Sequence, residues 1–261
     1  MTGVGLMRAE WTKIRSVQST VWSLVAFVVV AIGFSTLISA VISNSWNKPG
    51  NGPNHVKLLT DPTAILFGAG FGIGQLAICV LGVIIITSEY STGAIRSSLL
   101  AVPRRLPMLA AKALVWTLLD LLASAITVFA VFYITTAILS SHISIGLSAP
   151  GVTKAVIGAI LYLTVLGLFA LAIGGLIRHT AGAIATVIAL VIVIPPLVGL
   201  IPGTIANHVH EYMPTVAGVL VAQTSEQAGD VLSGWQGFGV FCAWTAVLLA
   251  ACAWLLVKRD A

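Results

Sequence analysis

The sequence predicts an all-α integral membrane protein with six transmembrane helices, and three observations lead there. The chain is 58% hydrophobic with a mean hydropathy of +1.06. Its charged content is 8%, against about a quarter in an ordinary soluble domain. The apolar residues fall into six blocks near the length of about twenty residues that a helix needs to cross a bilayer. The 261 residues are filled by those blocks and their loops as a single transmembrane domain, so any activity must be carried by spans and short connections.

The elements follow in chain order. Residues 6 to 18 place Leu6, Met7, Glu10, Trp11, Ile14 and Val17 on one arc, with Arg8 and Arg15 at its border and Lys13 opposite. This predicts an amphipathic helix lying in the interface. Residues 21–43 form the first span, longer than a signal peptide's apolar core and without a cleavage site, hence uncleaved. A polar loop rich in Asn, Gly and Pro follows. The second span, 64–87, is uncharged, and Gly68, Gly70, Gly72 and Gly74 form overlapping Gly-x-x-x-Gly pairs of the kind that bring membrane helices close. These glycines match neither a dinucleotide-binding nor a Walker A loop. Gln75 is the one strongly polar side chain of that span and suits a hydrogen bond to a neighbouring helix.

The third span, 108–140, is longer than the hydrocarbon core and carries Asp120. An acid at that depth is either a functional group or a packing group hydrogen-bonded to Ser124, one turn away. The fourth and fifth spans, 181–201 following 155–177, are joined by the minimal turn Arg178-His179-Thr180. Pro195-Pro196 breaks the fifth near its end, which requires its freed backbone groups to find other partners. Residues 202–236 contain no Lys or Arg and include an apolar piece too short to span, so a re-entrant or external hairpin is expected. The sixth span is 238–257.

Between the second and third spans lies the coupling stretch, 88–107, and Glu89 to Lys112 holds four of the thirteen basic residues. On a continuous helix Glu89, Gly93 and Arg96 share one side while Ile95, Leu99 and Val102 share another, making the stretch amphipathic. With the N-terminus inside, the basic residues divide ten to three in favour of the inner side. This positive-inside bias puts both termini and the 88–107 stretch in the cytoplasm.

Several functions are excluded. The basic residues flank apolar blocks and do not form a patch interleaved with aromatics, so nucleic acid is not a partner. Cys79, Cys242 and Cys252 lie in apolar blocks without metal or disulfide spacing and are expected to be buried. His208 and His210 have no third ligand, so no metal site is assigned. No nucleophile and base converge at membrane depth. A stand-alone proton-coupled transporter using Asp120 would need a chain of intramembrane acids.

Glu89-Tyr-x-x-Gly93-x-Ile95-Arg96-x-x-Leu99, followed by Pro103-x-Arg105 and Lys112, resembles the first cytoplasmic loop of ABC-2 type export permeases, the membrane subunits of ATP-binding-cassette transporters. The opening from Arg8 to Ser16, the Met213 to Gly218 region and the Lys258-Arg259-Asp260-Ala261 ending also resemble permeases of that family from high-GC Gram-positive bacteria. Ala94 departs from the threonine more usual after the glycine. The resemblance implies a plasma-membrane efflux subunit, paired with a like or related permease and docked on a separate ATP-binding-cassette subunit that holds ATP and Mg. The chain itself would have no cofactor and no catalytic residue. It further implies that Ile95 and Leu99 pack into the ATPase while Glu89, Gly93, Arg96 and Arg105 hold the loop in register. The second and fifth spans would line the pathway, with Phe67, Phe71, Gln75 and Asp120 as candidate contacts for an amphiphilic drug, antibiotic or lipid.

Overall fold

The structure is a computed structural model and describes residues 5, 7, 11, 12, 18–46, 61–93, 105–225 and 231–258. Within them the fold is all-helical: α1 Gln18–Asn44, α2 Pro62–Ser91, α3 Arg105–Leu139, α4 Val152–Ile177, α5 Thr180–Ile188, a π-helical turn Ala189–Val193, α6 Ile194–Gly199, α7 Thr204–Glu211, α8 Pro214–Val219, a 3-10 turn Leu220–Ala222, and α9 Gly234–Lys258. Six stretches are long and apolar enough to cross a membrane, with α5, the π turn and α6 counting as one. Of the expected N-terminal interfacial helix, positions 5, 7, 11 and 12 are described and helical, with Met7 and Trp11 exposed.

Two boundaries move, for local reasons. The second helix starts at Pro62, where a missing N–H costs nothing because the first turn has no intrahelical acceptor for it. It runs on through Glu89 to Ser91 and stops at Gly93, whose φ of +70° lies in the left-handed region. The continuous helix drawn from Glu89 through Arg96 is therefore broken at Gly93. Glu89 belongs to α2, and residues 94–104 lie outside the described residues. The third helix already begins at Arg105, because Pro107 is tolerated within a first turn. Its 35 residues span about 52 Å at 1.5 Å per residue.

The helices alternate in direction, so the C-terminal ends of α2, α4 and α9 meet the N-terminal ends of α3 and α5 at one end, hereafter the basic end. Central to the bundle is α4, with 72% of its span buried against 22% for α1, for the α5–α6 span and for α9. Where α2 crosses α4 the backbones nearly touch: a Cβ on Gly82 would stand 2.5 Å from the Gly167 carbonyl oxygen and 3.2 Å from the Leu171 nitrogen. Of the glycines singled out in the second span, Gly74 does make a close contact, on Ala31 of α1, while Gly72 has nothing within 4 Å. The closest approach thus uses Gly82, which lies outside the Gly-x-x-x-Gly run.

The fifth span is interrupted as its prolines require. Pro195 and Pro196 lack the N–H groups that would bond Val191 and Ile192, and the ladder widens to Ile194 N–H donating to the Ala189 carbonyl, five residues back. Beyond it the chain packs against other helices. Trp244 Nε1 donates to the Tyr212 carbonyl at 3.1 Å. Gly218 packs on Phe241 and Tyr162, and Gly158 of α4 lies under the Val221 carbonyl. At the end of this run the Thr224 N–H donates to Asp61 Oδ1 at 3.1 Å. Trp244 is ten residues into α9, about 15 Å at helical rise, so the stretch from Tyr212 to Thr224 climbs along α4 and α9 towards the start of α2.

Asp61 is a group that the sequence reading left in a loop. It is 2% exposed and its Oδ1 also accepts from Thr63 Oγ1 at 2.9 Å. Because an ionised acceptor in a dry site leaves two donors stranded when removed, Asp61→Ala is expected to cost about 1.5–3 kcal/mol. Thermal unfolding of purified protein in detergent reads this, and trypsin-independent cleavage near Gln223 by a broad protease should accelerate in parallel. An unchanged midpoint with unchanged cleavage refutes the clamp.

Candidate functional site

The site is the basic end of the bundle, and it is built around an ion pair. Glu89 lies in the last turn of α2, where a carboxylate faces the negative end of the helix dipole. Lys112 lies on the facing side of α3, and its Nζ donates to Glu89 Oε1 at 2.8 Å. Both are enclosed, Glu89 at 8% and Lys112 at 3% exposure. Desolvating two charges is repaid by attraction only when geometry is close, and here the pair bolts the end of α2 to α3. It thereby closes the base of the 92–104 segment, fixing both feet from which the coupling stretch springs.

A second cluster surrounds Arg178. This residue ends α4 with φ 59° and ψ 9°, among the described residues the one non-glycine with positive φ, and its N–H bonds the Gly174 carbonyl at 2.9 Å. The guanidinium sits 5.1 Å from the centre of the Tyr90 ring at the end of α2, and Nη2 donates to the Leu255 carbonyl in the last turn of α9 at 3.2 Å. His179 then caps α5, its Nδ1 accepting from the Gly182 N–H, and Thr180 Oγ1 donates to Thr87 Oγ1 of α2 at 3.0 Å. Lys258 completes the basic end, 4.3 Å over the Trp254 ring. Cations at helix C-terminal ends are favoured by the dipole, which explains why the sequence ends α4 and α9 with Arg178 and Lys258.

The predicted site residues divide. Glu89 and Gly93 are at the basic end, the one paired inward and the other exposed as the stop of α2. Ile95, Arg96 and Leu99 lie outside the described residues, as does the side chain of Arg105, whose backbone opens α3. The candidate pathway residues are packing groups where they are described. Phe67 is 1% exposed in the main core, and Gln75 Oε1 accepts from Tyr162 Oη of α4 at 2.9 Å, the inter-helix bond expected of it. The side chain of Phe71 lies outside the described residues. Asp120 is fully buried against Gly167 and accepts from Ser124 Oγ at 3.3 Å through Oδ1. Its Oδ2 has no hydrogen-bond partner among the described residues. Cys79 and Cys252 are buried as expected, whereas Cys242 is half-buried.

Sequence reasoning missed Arg178 as more than a flanking charge. The signal was present: an arginine directly after a glycine-rich apolar run, followed by His179-Thr180 as a new helix start, marks a helix end that must be capped. Chemically the arrangement offers ties between helices. No group of three or more metal-ligating side chains exists among the described residues. A scan of the chain against models of known protein families finds no match, and a search of curated proteins finds none.

Proposed function

We propose that this chain is the membrane-spanning subunit of an ATP-driven exporter, in the manner of the ABC-2 type permeases that its 89–112 segment resembles. The observation that carries the reading is the buried Glu89–Lys112 pair at the base of that segment. A loop that receives force from a nucleotide-driven partner must be rigid where it joins the spans, and a 2.8 Å enclosed ion pair between α2 and α3 supplies that. The ten-to-three basic bias puts this end in the cytoplasm, with both termini on the same side of the cell membrane. In this orientation α7, α8 and the 3-10 turn form a re-entrant hairpin entering from outside, since Tyr212 bonds Trp244 well within α9. The chain carries no phosphate-binding Gly-x-x-x-x-Gly-Lys-Ser/Thr sequence, so ATP and Mg belong to the partner, and a second permease copy or a related permease completes the pathway for an amphiphilic substrate.

A proton-coupled transporter is the weaker reading. Asp61, Asp120 and Glu89 are all buried, but Glu89 is bound to Lys112 and Asp61 to Thr63 and the Thr224 backbone. Glu89 and Asp61 are 28 residues apart on one helix, about 42 Å, which leaves steps far beyond hydrogen-bond reach on either side of Asp120.

The test is purification of the tagged chain from its native membrane with limited crosslinking. An ATP-binding-cassette subunit is expected to copurify through contacts at residues 94–104, and ATP turnover is expected only in the complex. Turnover or micromolar ATP binding by the permease alone, or crosslinks confined to the opposite end of the bundle, would overturn the assignment.

A further inference from the structure

We infer that Arg178 is a positioning residue that locks the basic ends of α2, α4 and α9 together, so that motion received at the end of α2 reaches the second half of the bundle. The tie stands on geometry alone, while its role in transmission rests on the exporter reading above.

The backbone comes first. An L-residue at φ 59° is disfavoured, and glycine or asparagine is the usual occupant of such a helix end. Had capping α4 been the whole task, glycine would serve without strain, and two glycines already stand at positions 174 and 175. A long cation held in this conformation points instead to the side chain. The left-handed turn directs the chain away from the axis of α4, and the guanidinium reaches two other helix ends: the Tyr90 ring in the last turn of α2 at 5.1 Å and the Leu255 carbonyl of α9 at 3.2 Å.

The chemistry at each contact suits arginine specifically. Leu255 is among the last four residues of α9, whose carbonyls have no intrahelical N–H partner, and a planar guanidinium can satisfy one while its face lies over an aromatic ring. Lysine, a point charge, cannot do both in the same geometry. Next to these contacts Thr180 bonds Thr87, so α5 is joined to α2 by the same turn. The ion pair Glu89–Lys112 joins α2 to α3, and Arg178 joins α2 to the rest. Tyr90 and Glu89 are neighbours in sequence, so both ties begin on one turn of α2.

Arg178→Gly separates the two roles, since glycine keeps the φ 59° turn and removes only the guanidinium. Arg178→Asn, which also tolerates that conformation, guards against a folding failure. The readout is hydrogen–deuterium exchange of the full chain in lipid nanodiscs. Both variants should keep the exchange pattern of α4 while the last turn of α9, residues 255–258, exchanges about tenfold faster, and Arg178→Lys should fall between. Exchange in that turn equal to the parent's in Arg178→Gly and Arg178→Asn overturns the tie. In the complex with the ATPase, ATP plus vanadate should change protection at the ends of both α2 and α9 in the parent, but at α2 alone in the variants. A response at α9 that persists in either variant overturns the transmission role. Should no ATPase copurify, the exporter reading fails by itself, and the nucleotide-free exchange still decides the tie.

Discussion

Gly82→Ala is expected to prevent accumulation of folded protein, while Gly72→Ala in the same helix leaves it unchanged or slightly more stable. The added methyl at position 82 meets the Gly167 carbonyl oxygen at 2.5 Å, Ala170 Cβ at 3.0 Å and the Leu171 nitrogen at 3.2 Å. Two of those three atoms are backbone of the most buried helix, so relief requires α2 and α4 to separate along their whole crossing. Overpacking of this kind costs about 3 kcal/mol or more when no side chain can swing away. At position 72 nothing lies within 4 Å, and replacing a helical glycine there contributes up to about 1 kcal/mol in favour of the helix. Size-exclusion profiles of detergent-solubilised variants compare the two directly. A monodisperse Gly82→Ala protein with the parent's melting midpoint would show that this crossing is not the close one.

Lys112→Ala is expected to destabilise the basic end by about 3–5 kcal/mol, because it leaves the Glu89 carboxylate enclosed without its cation. The pair is well enclosed, with side chains 4% and 11% exposed, so solvent screening does not soften the loss as it would at a surface. Glu89→Gln combined with Lys112→Met replaces the ion pair by neutral groups of similar volume and should recover a large part of the stability. The double variant nevertheless loses the rigid base of the coupling segment, so ATP turnover by its complex should no longer respond to substrate. Melting midpoints of both single variants and the double variant form the cycle. Additive losses would mean that Glu89 and Lys112 act separately, and the bolt between α2 and α3 would be discarded.

The six spans were legible because hydropathy over twenty residues is a bulk property that no single contact overrides. Helix ends were less so. Residues 88–107 read as one amphipathic helix because periodicity does not register a single glycine at positive φ, and Gly93 ends α2 there. The site was legible in parts. Glu89 was visible as a motif residue, but its partner stands 23 positions away on another helix, and only the antiparallel packing of α2 on α3 brings them together. Arg178 read as one more inside-flanking cation because a sequence does not reveal that three helix ends converge on it. Asp61 shows the same limit at the other end: an aspartate before a proline announces a helix start, but not the Thr224 N–H that it also holds.

The wide turn at Ala189–Val193 fixes an azimuth. Each residue of a helix advances about 100° around its axis, so the extra residue that a π turn absorbs rotates all that follows by that angle relative to an uninterrupted helix. Leu197 and Leu200, 56% and 79% exposed, face outward only with this offset in place, and the same offset aims the chain so that Tyr212 meets Trp244. Deleting one residue from Ala189–Val193 would shorten the span by only about 1.5 Å. It would nonetheless swing the outer third of the span by more than a quarter turn, and every contact beyond Pro196 would be misdirected although none of the residues making it had changed.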